Sequence, residues 1–195
     1  MPVKRTVPVW RVGPGSREHS VIEESIVDVV LNGRVLVRAG CLPEALEDFA
    51  LGFLASEGLI EGPTDVESIA VSLPEKRIEV RAAVDPDLLV KFRERLALST
   101  GCGRGASGAA EGLPRVQSDA KFTPGDLSDR MREMDRASTL FRETGGVHAA
   151  AVTDSRAIEA FAEDIGRHNA VDKVVGRCLR EGIPLARRAI LSTGR

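Results

Sequence analysis

The stretch Glu163-Asp164-Ile165-Gly166-Arg167-His168-Asn169-Ala170-Val171-Asp172-Lys173 (EDIGRHNAVDK) decides how the second half of this chain folds. Gly166 turns the chain into a helix. Beyond it Val171, Val174, Val175, Cys178 and Leu179 recur at helical spacing, so one side of the helix faces a core, and Cys178 belongs to that core. Before it, Arg156 to Ala162 reads as a strand, paired with Val147 to Val152 across Thr153-Asp154-Ser155. After it, Ala189 to Ser192 reads as a final strand. The side of the helix away from the core carries Arg167, Asn169, Asp172 and Lys173 near its N-terminus. Basic side chains beside the free N–H groups of a helix start make a ready anion site. The same residues also serve as caps and solvated charges, and the sequence leaves both readings open.

Working outward, Thr123-Pro124-Gly125-Asp126 opens a helix expected to run to about Arg142, with Gly145-Gly146 ending it. In the first half, Ser25 to Val30 and Val35 to Arg38 alternate on either side of Asn32-Gly33, a strong hairpin signal. A helix follows, with Pro43 expected in its first turn and Leu46, Phe49, Ala50, Phe53 and Leu54 as its apolar stripe. Gly58 stops it, and Cys41 just before it reads as structural or incidental. Val66 to Ser72 and Arg77 to Ala82 are short strands, and Asp85-Pro86-Asp87 starts a basic helix through Leu98. Residues 1–20 lack periodicity and read as an extended or flexible arm. The predicted class is α/β: a small α+β domain over 1–98, a glycine-rich linker over 99–118, and a further domain over 119–195. A strand–helix–strand unit normally continues into an element that covers its sheet. The ending at Gly194-Arg195 is therefore read as incomplete.

That linker holds the most unusual composition in the chain, Ser99-Thr100-Gly101-Cys102-Gly103-Arg104-Gly105-Ala106-Ser107-Gly108. Each glycine costs roughly 0.5–1 kcal/mol relative to Ala inside a regular element, so this is expected to be an exposed loop. A thiol there, with Arg104 nearby to favour the thiolate, has the character of a nucleophile. Three cysteines, odd in number and widely spaced, argue against a disulfide framework and fit a reducing cytoplasm. The net charge of −2 excludes a general nucleic-acid binder, and no apolar run approaches a membrane span. The cysteines and His19, His148 and His168 show no zinc-ligand spacing. A Cys–His hydrolase with Cys102 as nucleophile and His148 or His168 as base stays open.

Four stretches in order resemble one family, the formate dehydrogenase accessory sulfurtransferases of FdhD type: Leu46 to Ile60 (LEDFALGFLASEGLI), Ser99-Thr100-Gly101-Cys102-Gly103, Thr144-Gly145-Gly146-Val147-His148-Ala149-Ala150, and Glu163 to Lys173. The resemblance implies that Cys102 takes sulfur as a persulfide from a cysteine desulfurase. It implies delivery of that sulfur to the molybdenum (or tungsten) bis-guanine-dinucleotide cofactor that formate dehydrogenase needs. It further implies a dimer, a C-terminal part like cytidine deaminase (three layers, no zinc), and no permanently bound cofactor. Arg104 would help hold the persulfide anion. The cofactor is polyanionic, and Arg104, Gly166, Arg167, His168, Asn169 and Lys173 are the candidate residues that meet it. Many members carry Cys-x-x-Cys in the loop, whereas this chain has Gly105 at the second position. A one-cysteine relay survives that difference, and a disulfide within the loop does not. The other class of reading is a non-catalytic chaperone for the cofactor or the apo-enzyme, with Cys102 dispensable.

Overall fold

A computed structural model of the chain describes residues 2–10, 16–98 and 118–194. Strands β1 (Lys4–Trp10) and β2 (Ser16–Ile22) pair antiparallel into a two-stranded ribbon. The expected arm is thus regular structure. Its described residues are exposed or half-buried on both faces, so the pairing leaves no alternating apolar signal in the sequence.

β3 (Ser25–Leu31) and β4 (Arg34–Cys41) form the predicted hairpin. Asn32 and Gly33 both have positive φ, 50° and 78°, the signature of a type I′ turn. β5 (Val66–Ser72) and β6 (Arg77–Ala82) pair antiparallel, and β6 runs parallel to β3, giving the order β4-β3-β6-β5. Helix α1 (Leu46–Ser56) lays Leu46, Phe49, Phe53 and Leu54 against this sheet. Gly58 at φ 69° closes α1: its N–H donates to Ala55 O, and the Leu59 N–H to Leu54 O. Pro43 is not in the first turn as expected. The chain leaves β4, turns through Ala45 in a left-handed conformation (φ 50°), and only then becomes helical. Helix α2 (Pro86–Leu98) anchors to α1 through Phe92, whose ring meets Phe53 edge-on at 6.0 Å.

In the second half the expected single helix is two, α3 (Pro124–Ala137) and α4 (Thr139–Thr144). The break falls at buried Ser138, whose hydroxyl donates to Met134 O at 2.8 Å. The Glu163 carboxylate then accepts the N–H groups of Leu140 and Phe141, restarting the chain as a separate turn. β7 (His148–Thr153) and β8 (Ile158–Asp164) pair antiparallel, and β9 (Ala189–Ser192) adds on the other side of β7. β8 starts at Ile158, not Arg156, because Asp154 accepts the N–H groups of Arg156 and Ala157 and holds them in a turn. Helix α5 (Arg167–Glu181) covers one face of this sheet through Ala170, Val174 and Cys178. α3 covers the other through Leu127 and Met134. The three layers and the mixed α/β class are as expected.

The two halves meet where α1 crosses α5. Gly52 and Gly176 face each other so closely that an added Cβ on either would stand 1.8 Å from a backbone oxygen of the other helix. Beside them Asp48, buried on α1, accepts Arg180 Nε at 2.6 Å and Nη2 at 3.2 Å.

Candidate functional site

The β8–α5 corner is where the sequence signature becomes geometry. Asp164 ends β8 opposite His148 of β7 and is wholly buried. Its Oδ1 accepts the Gly166 N–H and the Asn169 amide, each at 3.0 Å. Its Oδ2 accepts the Leu42 N–H at 3.0 Å and pairs with Lys173 Nζ at 2.7 Å. Lys173 also donates to Leu42 O at 3.2 Å, and the Asn169 amide to Gly40 O at 2.8 Å. These side chains therefore stitch the exit of β4 to the first turns of α5. The two charged side chains are 1% and 0% exposed, shut from water, and a buried carboxylate is tolerated only when paired and hydrogen-bonded in this way.

The spacing predicts Arg167, Asn169, Asp172 and Lys173 together on the side of the helix away from the core. The structure corrects this for three of them, because the exit of β4 and helix α1 cover that side. Arg167 and His168 are exposed. Asn169, Asp172 and Lys173 are buried. Gly166 caps the helix without a side chain, and an added Cβ would lie 2.8 Å from the Asn169 amide. The stem of Arg167 lies against the backbone of Gly194, where a Cβ would be 2.5 Å from Arg167 Cδ. Gly194 is brought there by Thr193, which exchanges hydrogen bonds with the backbone of Ala149. Gly166, Arg167, His168, Asn169 and Lys173 thus share one corner. Cys102 and Arg104 lie outside the described residues, as does any pairing of Cys102 with His148 or His168.

Asp164 is the residue that sequence reasoning missed. Its signal was present: an Asp that ends a strand, with an Asn and a Lys five and nine residues on, placed on the inward turns of the following helix. Glu163, the α4 cap, was missed as well, because the N–H groups it accepts, those of Leu140 and Phe141, lie 23 and 22 residues upstream.

The two described cysteines are shut away. Cys41 and Cys178 are fully buried. Burial pushes the Cys41 thiol up to about 12, and the Asp164 carboxylate adds to the shift. Burial likewise pushes Cys178 up to about 11, with Glu159 adding to it. Iodoacetamide at pH 8 is expected to label neither in the native chain and both in denaturant, read by peptide mass mapping. The folded state keeps the Cys41 proton above the ordinary thiol value of 9.0, so the stability that proton contributes is complete below pH 9. It is lost as pH rises towards 12. A thermal-melt series is expected to fall across that window, and to fall less for Cys41→Ala.

Away from the β8–α5 corner, a concavity of about 270 Å³ is lined by Lys121, Arg156, Arg187 and Arg188 with Asp154. Arg188 is committed to Glu159 by two hydrogen bonds and Arg187 pairs with Asp119, which removes much of its positive character. Among the described residues no three His, Cys, Asp or Glu side chains gather as a metal site. No described helix is long and apolar enough to cross a membrane.

Comparison with known proteins agrees with the signature. The model of the FdhD/NarQ family matches residues 22–195. A protein of Listeria innocua named sulfur carrier protein FdhD is 34% identical over 184 residues, covering 91% of this chain and 70% of its own length. The protein of that name from Bacillus subtilis is 31% identical over 194 residues, covering 96% of this chain and 74% of the relative. Among solved structures, one described as a formate dehydrogenase accessory protein from Desulfotalea psychrophila superposes with a TM-score of 0.74 at 26% identity. That match spans 100% of this chain and 75% of the other.

Proposed function

Because this chain belongs to the FdhD/NarQ family, we propose that it is a sulfur carrier that serves formate dehydrogenase through a persulfide on Cys102. The Cys102 thiolate attacks the outer sulfur of a persulfide on a cysteine desulfurase. The sulfur–sulfur bond of the donor breaks, its thiolate leaves, and Cys102 becomes the persulfide. The outer sulfur then passes to the molybdenum (or tungsten) bis-guanine-dinucleotide cofactor, which is the substrate and not a resident group. In that step the sulfur–sulfur bond on Cys102 breaks and the Cys102 thiolate leaves. The two electrons that bring the sulfur to the sulfide level come from the reduced metal or from an external thiol. Arg104 steadies the persulfide anion. The exposed face of the β8–α5 corner, with Gly166, Arg167 and His168, meets a phosphate of the dinucleotide. The carrier works in the cytoplasm, as a dimer.

The observation that supports this reading best is the fate of the other thiols. The sequence has three cysteines, and Cys41 and Cys178 are buried and held protonated. A partner's persulfide reaches neither without opening the core, so sulfur chemistry falls to Cys102. The test is to incubate the chain with a cysteine desulfurase and cysteine, without reductant, and weigh the intact protein. The expected result is one added sulfur on the parent and none on Cys102→Ala. No added sulfur on either, with nucleotide binding retained, would replace the carrier by the chaperone reading.

A further inference from the structure

Asn169 and Lys173 stand on the same first turns of α5 as Arg167 and His168, yet both side chains are buried and reach inward to Gly40, Leu42 and Asp164. Both hydrogens of the Asn169 amide are used, on Gly40 O and Asp164 Oδ1. The Lys173 ammonium is divided between Asp164 Oδ2 and Leu42 O. We infer that Asp164, Asn169 and Lys173 form a positioning clamp, which sets where Arg167 and His168 stand without itself touching a bound anion. The inference rests on the reading above that this corner meets the nucleotide end of the cofactor.

Two physical points support a positioning role over plain cohesion. A buried ion pair generally adds no stability over well-packed apolar residues of the same size. What it adds is definition: the clamp fixes the N–H and C=O of Leu42 and the C=O of Gly40, three backbone groups that apolar packing leaves free to slide. The second point is reach. The clamp fixes the Gly166 N–H as well, so the backbone leading into Arg167 is set from inside, while Gly194 confines the Arg167 stem from outside. The guanidinium then starts from one place, the condition for binding a phosphate without first ordering a side chain.

The test uses the intact chain, with GDP as the probe for the nucleotide end. Acetic anhydride is expected to leave Lys173 unmodified with or without GDP, until the protein unfolds. Diethyl pyrocarbonate is expected to modify His168 in the free chain, and GDP to block it. Two variants separate contact from position, each measured well below its melting temperature. Arg167→Ala is expected to weaken GDP about tenfold and to flatten the salt dependence of binding, since one charge contact is gone. Asn169→Ala is expected to weaken GDP by a similar factor with the salt dependence unchanged. A Lys173 that is acetylated in the folded chain and protected by GDP would overturn the clamp while leaving the corner as the binding face. Parent-like GDP affinity in folded Asn169→Ala would make the network cohesive only. Failure of GDP to protect His168, or to bind the parent, would remove the binding face and the inference with it.

Discussion

Gly52→Ala is expected to lower the melting temperature by roughly 6–12 °C, corresponding to a loss of about 3 kcal/mol in a chain of this size. Elsewhere in a helix the same change gains about 1 kcal/mol, because alanine is the better helix former. Here the new methyl would stand 1.8 Å from the carbonyl oxygen of Asp172 and 2.8 Å from the amide nitrogen of Gly176. Both obstacles are backbone, so no rotamer change relieves them, and the helices must move apart. Moving α1 off α5 strains the Asp48–Arg180 ion pair and loosens the stripe of Phe49 and Phe53 against the first sheet. Gly176→Ala is expected to behave alike, because its methyl would meet Asp48 O at 1.8 Å. Gly125→Ala in α3 is the control: its methyl finds only Thr123 Oγ1, at 3.5 Å, and that variant is expected to hold or gain stability. Differential scanning calorimetry of the three variants decides it. A Gly52→Ala chain that melts with the parent would show that this crossing is loose.

That crossing also marks the limit of what periodicity reveals. The hairpin at Asn32-Gly33, the α1 stripe and the α5 stripe were legible because each is a local pattern: a turn dipeptide, or apolar residues every three to four positions. The β1–β2 ribbon was not, since its pairing is backbone to backbone and neither face is sealed. The split between α3 and α4 was invisible because its cause, the Glu163 carboxylate, lies some twenty residues downstream. The same holds for the corner. Spacing placed Arg167, Asn169, Asp172 and Lys173 on one outward side of the helix start, whereas in the structure Arg167 is exposed and the other three are buried. The directions of Asn169 and Lys173 depend on Gly40 and Leu42, which are more than 120 positions away in sequence. A helix wheel cannot contain that information. In the same way, an internal glycine in each of α1 and α5 is a weak sign of close packing until the two helices are known to cross.

Asp164→Ala is expected to cost about 3–5 kcal/mol, the usual penalty for stripping one partner from a buried ion pair. With native stability typically about 5–15 kcal/mol, that is enough to leave a large unfolded fraction at 37 °C. The loss is not one bond. Without the carboxylate, the Lys173 ammonium keeps only the Leu42 carbonyl, and the Leu42 and Gly166 N–H groups lose their acceptor. Each buried orphan adds a penalty of about 1–3 kcal/mol unless water enters, and water entry would itself dissolve the corner. Lys173→Met should cost less, since Asp164 would still accept three N–H donors, from Leu42, Gly166 and Asn169. The double variant Asp164→Ala with Lys173→Met removes the stranded charge, and is expected to be more stable than Asp164→Ala alone. Urea unfolding of the parent, both single variants and the double closes the cycle, and a coupling of at least about 1 kcal/mol is the expected result. Additive losses would mean that the ammonium and the carboxylate act separately. The tie between the end of β4 and the start of α5 would then rest on Asn169 and the glycine crossing.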